Sequence, residues 1–147
     1  MTKNIWMSSP DDRLREWRSF RKQISTLGTE QQLESVISWW KMAPLGTRII
    51  DIYNSNDWPD PWELIHKGEF DENAIALGIA YSMQLLEKQT ELCLLQDRTD
   101  HFLGLIVLVD KTYILNYTYG IIEDATKVLD NSEIVQSWNV KDLIKHK

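Results

Sequence analysis

Asp57-Trp58-Pro59-Asp60-Pro61-Trp62-Glu63-Leu64-Ile65, followed two residues later by Gly68-Glu69-Phe70-Asp71-Glu72-Asn73-Ala74, is the stretch on which the fold turns. Asp60 before Pro61 pairs a helix cap with a proline at the first helical position, which predicts a short helix from Trp62 to about Lys67. Gly68 breaks it. A second helix then spans about Asp71 to Glu87, with Ala74, Ile75, Leu77, Ile79, Tyr81, Met83, Leu85 and Leu86 leaving no polar face. A helix that is apolar all round is a buried one. Gly78 in its interior lowers helix propensity and signals close approach of a strand or another helix.

Working outward, three β-like runs follow: Leu92 to Gln96, Phe102 to Val109 and Thr112 to Tyr117. Asp110-Lys111 between the last two reads as a tight hairpin turn. The middle run is almost continuously apolar, as a strand buried on both faces would be. After Gly120 the signal weakens; Ser132 to Trp138 reads as a helix and Val140 to Lys147 as a short basic-ended one. Before the central stretch, Ser9-Pro10-Asp11-Asp12 caps a helix carrying Leu14, Trp17, Phe20, Ile24 and Leu27 and ended by Gly28. Thr29-Glu30-Gln31-Gln32 resembles a capping box, and Leu33, Val36, Ile37 and Trp40 form a second stripe up to Ala43-Pro44.

This order resembles the transglutaminase-like cysteine proteinases of the papain-like class over roughly residues 57 to 120. In that family Trp-x-x-Pro precedes Gly-Asp-Cys-Glu-Asp at the start of a helix, then a strand headed by His, then a strand ending in Leu-Asp or Leu-Asn. Here Gly68-Glu69-Phe70-Asp71-Glu72 lies on the cysteine motif without a gap, His101 heads Phe102 to Val109, and Ile114-Leu115-Asn116 closes the next strand. The resemblance implies a triad at Phe70, His101 and Asn116, with Phe70 where the family has its cysteine. A thiol in the first turn of a helix is acidified by the macrodipole and activated by the histidine. Phenylalanine offers none of that chemistry. Glu69, Asp71 or Glu72 with His101 form an alternative acid/base set, although carboxylates at a helix start are also what capping requires.

Cys93, the only cysteine among 147 residues, lies among leucines and excludes an intramolecular disulfide. No metal or cofactor is expected, since His66, His101 and His146 lack ligand spacing. Seven tryptophans read mainly as core, yet adjacent Trp39 and Trp40 cannot share a helical face, so one of them meets a second surface. Residues 1 to 48 carry a net charge of +3 and residues 49 to 147 a net of −9. Arg15, Arg18 and Lys22 share one helical face, which with Trp39 or Trp40 makes a candidate binding surface. The whole-chain net of −6 argues against a nucleic-acid partner. No apolar run is long enough to span a bilayer, and Met1 to Trp6 holds no signal-peptide core, so export through a signal peptide is not expected.

The resulting expectation is a single α+β, papain-like/transglutaminase-like domain: an N-terminal helical pair over 9–43, a core over 57–120 with a central buried helix against a small antiparallel sheet, and a C-terminal segment over 121–147. The missing cysteine points to a non-enzymatic structural or adaptor protein. A further resemblance, to transglutaminase-like proteins of tailed bacteriophages, points to a virion or assembly component with protein partners. The alternatives are an active cysteine-type amidase or peptidase, which needs Cys93 to reach His101, and a cytoplasmic inhibitor of a host protein.

Overall fold

The computed structural model describes residues 5–46, 50–98 and 102–145. Helix α1 (Pro10–Ile24) starts where Ser9 Oγ accepts the Asp12 N–H at 3.3 Å, and α2 (Thr29–Lys41) follows after a short turn. Its cap lies one residue earlier than the sequence pattern indicates: Gln31 Oε1 accepts from the Gly28 N–H. Helix α3 (Pro61–Lys67) is capped by Asp60 and ends on Gly68 at φ 71°, a left-handed conformation that glycine adopts without strain. Asp71 then caps the central helix α4 (Glu72–Leu85), accepting the Ala74 N–H at 2.7 Å.

Strands β1 (Thr90–Asp97), β2 (Leu103–Val109), β3 (Tyr113–Leu115), β4 (Ile122–Asp124) and β5 (Ser132–Asn139) form one antiparallel sheet in the order β4-β3-β2-β1-β5. Asp110 and Lys111 both have positive φ, 52° and 57°, as a two-residue hairpin turn between β2 and β3 requires. Short helices α5 (Ala125–Asp130) and α6 (Val140–Lys145) flank β5. The α+β expectation holds. The helix expected at Ser132 to Trp138 is instead β5, an edge strand that pairs along β1 and is exposed at most positions. A strand with no buried face carries no alternation to betray it.

The sheet separates two cores. Leu92, Leu94, Leu105, Val107 and Val109 pack with α4 and the N-terminal helices. Cys93, Leu95, Ile106, Leu108 and Ile114 point the other way, toward Ala125 and Val128 of α5. Alternate residues thus serve opposite faces, as the strand period demands.

Ten consecutive residues of α4, Ala74 to Met83, are buried. Trp17 of α1 and Trp40 of α2 both donate Nε1–H to Ser82 Oγ, at 3.1 and 3.0 Å, while that hydroxyl donates to Gly78 O. One serine therefore satisfies two buried indoles and fixes three helices. Gly78 itself faces Trp40 rather than a strand. A second polar pin is the buried Arg13: Nε donates to Ile65 O, Nη1 to Ser8 O and Nη2 to His66 O. It binds α1 to the C-terminal end of α3.

Candidate functional site

A pocket of about 590 Å³ opens where the start of α4 meets the head of β2 and the segment after β3. Asp71, Glu72 and Asn73 supply the helix side, and Asn116, Tyr117 and Tyr119 face them. The helix start brings unpaired N–H groups and positive potential to the rim. Asn116, held at φ 70° immediately after β3, donates Nδ2–H to Glu72 O and Leu105 O, tying the strand end to the helix start. Asn73 Oδ1 accepts the Leu105 N–H at 3.0 Å, which leaves its amide NH₂ without a partner among the described residues. Burial raises the Asp71 carboxyl above the usual carboxylate range, against the opposing pull of the N–H bond from Ala74.

The positions of the expected triad separate. Asn116 lines the pocket. Phe70 does not line it: the ring is wholly buried 5.2 Å from Trp6 and 5.4 Å from Trp40, and its backbone forms a parallel bridge with Leu45. His101 lies outside the described residues. Of the candidate carboxylates, Asp71 and Glu72 reach the pocket, whereas Glu69 is exposed beside Gly46. Asn73 was missed by the sequence reading. Its signal was its place two residues after the capping Asp71, in the first turn of the helix that points at the pocket.

Cys93 faces the core on the far side of the sheet from α4, and burial pushes its thiol up to about 12. His101, which the cysteine-type alternative needs beside Cys93, lies outside the described residues, and Cys93 does not line the Asp71 pocket. Thiol labelling should therefore be slow in the native protein and rate-limited by opening, with urea accelerating it; rapid native labelling at neutral pH would contradict the packing. The folded protein holds this proton more tightly than the unfolded chain. The corresponding stability is complete below the unfolded thiol's pKa, near 9, and is lost as pH climbs toward about 12.

The proposed binding face also divides. Trp40 is a core residue, and the half-buried Trp39 packs against that core, stacked on Phe20 at 5.5 Å and edge-on to Trp6 at 4.7 Å. Arg15, Arg18 and Lys22 are exposed, and Arg15 pairs with Asp12.

No protein-family model and no curated protein matches the chain. Among solved structures, Legionella pneumophila LapG superposes with a TM-score of 0.70 at 20% identity, covering 88% of this chain and 74% of that one. Calcium-bound LapG gives 0.72 at 18% identity, over 90% and 77%, and EGTA-treated LapG gives 0.70 at 19%, over 88% and 74%. The fold is transglutaminase-like. That confirms the architecture implied by the motif order.

The transglutaminase-like neighbours also correct the functional expectation. The expectation of a non-enzymatic structural or adaptor protein is corrected: the neighbours are structures of LapG, a cysteine protease, and stand with the peptidase alternative rather than with a structural protein, while at 18–20% identity the likeness itself carries the fold alone. The LapG structures lend no support to a phage origin, a virion role or a retired enzyme. Calcium belongs to LapG: among the described residues of this chain no group of three or more His, Cys, Asp or Glu side chains could hold a metal ion. No helix among the described residues is long and apolar enough to cross a membrane.

Proposed function

We propose that this protein is an amide or peptide hydrolase of the transglutaminase-like group in which the thiol is replaced, Phe70 having moved into the core, and a carboxylate takes over. The observation that carries this reading is the convergence of Asp71, Asn73 and Asn116 in a pocket at the start of α4. Asp71 is the general base. Its ionised carboxylate takes a proton from water as the oxygen attacks the scissile carbonyl, and returns it to the departing amine. The Asn73 NH₂, with Oδ1 already fixed by the Leu105 N–H, donates to the oxygen on which negative charge develops. Asn116 positions rather than reacts, since its NH₂ is spent on two backbone carbonyls.

The test is hydrolysis of a pooled set of fluorogenic peptides and simple amides. Asp71→Asn should lower kcat/KM by about 100-fold or more, because the base is lost while the cap's acceptor oxygen is kept. Cys93→Ser should leave turnover unchanged. The rate should rise with pH as Asp71 ionises, and because burial raises that carboxyl the rise is displaced upward from the ordinary carboxylate range. Absence of turnover across the set, or activity abolished by Cys93→Ser in a folded variant, would remove the proposal.

A further inference from the structure

We propose that the hollow between the C-terminal ends of α1 and α4, remote in sequence from the pocket above, binds a phosphate group. The hollow measures about 410 Å³ and is lined by Arg18, Arg21, Lys22, Ser25, Glu87 and an apolar wall that includes Leu86. Cations in the last turn of a helix are ordinary complements of its dipole, so Arg21 and Lys22 would prove nothing alone. The state of Arg21 is the further observation. Its guanidinium lies 4.3 Å over the Trp17 ring, and its Nε–H is shielded from solvent with no acceptor among the described residues. Trp17 is itself fixed by its bond to Ser82, so the Arg21 fork is held in place before any ligand arrives.

Three cations meet here, and among the described residues none of Arg18, Arg21 and Lys22 forms an ion pair. Burial and the neighbouring Arg18 both lower the Arg21 pKa, the signature of positive charge lacking a counter-charge. Opposing them are the two helix C-termini, roughly one negative charge in sum, and the Glu87 carboxylate. The balance is still positive. A tetrahedral oxyanion accepts the parallel N–H bonds of an arginine fork and a lysine's point charge together, whereas a single halide uses only one. The volume admits a phosphate with part of an attached organic group, which distinguishes this site from the broad protein-docking face expected from Arg15, Arg18 and Lys22: Arg15 does not line the hollow.

The experiment is an amide-resolved NMR titration at constant ionic strength, first with inorganic phosphate and then with a nucleoside triphosphate, chloride being the background anion. Saturable shifts should centre on residues 18–25 and 85–87. Arg18→Ala and Lys22→Ala, both at exposed positions, should each weaken binding by about fivefold to tenfold. Glu87→Gln should tighten it. Tighter binding of the triphosphate through the same residues assigns the group to an organic phosphate; equal binding assigns it to the free anion. Shifts that fail to saturate, that spread over all basic residues, or that survive Arg18→Ala and Lys22→Ala unchanged would overturn the site. Because none of these residues touches the Asp71 pocket, the outcome is independent of peptide hydrolysis.

Discussion

Replacing Gly78 by alanine should destabilise the protein by about 3 kcal/mol, seen as a lower urea midpoint at unchanged slope. Local and tertiary physics oppose each other at this position, which makes the sign informative. On helix propensity alone, alanine in the interior of α4 would be better than glycine by about 1 kcal/mol. A Cβ on residue 78 would lie 2.2 Å from the far edge of the Trp40 ring, well inside van der Waals contact. The ring has nowhere to go. Its Nε1–H is bonded to Ser82, and Trp6 and Phe70 pack against it at 5.3 and 5.4 Å. Combining Gly78→Ala with Trp40→Phe should recover part of the loss, because the smaller ring vacates the space the methyl needs. The double-mutant coupling measures that recovery. A Gly78→Ala protein as stable as its parent would mean that α2 and α4 are farther apart than described.

The same residues show what the sequence could and could not reveal. Helix α4 was legible because its evidence is local: a capping aspartate, an apolar run and a glycine that only a close neighbour explains. The β2–β3 hairpin was legible for the same reason, through Asp110-Lys111 between two apolar runs. β5 was not, since Ser132–Asn139 earns strand status from hydrogen bonds to β1, more than thirty residues away in sequence, and exposes most of its side chains. The family motif aligned Phe70 with a catalytic position, but motif register fixes the backbone and not the direction of a side chain. The bridge to Leu45 and the indoles of Trp6 and Trp40 turn that ring inward, so Asp71, Glu72 and Asn73 occupy the pocket instead. The anchoring role of Arg13 was not legible either, because its partners Ile65 O and His66 O lie 52 and 53 residues on.

Arg13→Met should cost about 4 kcal/mol, close to the limit of what single substitutions usually remove. The guanidinium donates to three carbonyls, those of Ser8, Ile65 and His66, and two of these belong to the last turn of α3, where helix geometry supplies no donor. Methionine fills much of the volume but leaves those oxygens short of partners. Lysine should not rescue the fold, because a single ammonium cannot span the fork that reaches Ile65 O and His66 O together. Gly68 extends the prediction. A Cβ there would sit 2.8 Å from Arg13 Nη2, at a φ of 71° that already disfavours any side chain. Gly68→Ala should thus destabilise through both clash and strain, and in the Arg13→Met background only the strain should remain, so the two effects should sum to less than their separate values. Hydrogen exchange locates the damage: protection should fall first in α3 and in the residues leading to Asp71, while β1 and β2 keep theirs until global unfolding. Uniform loss across the sheet would mean that Arg13 supports the whole core rather than the approach to the pocket. Loss confined to α3 would establish that a buried charge on the first helix sets the position of the segment from which the central helix, its capping Asp71 and the proposed chemistry begin.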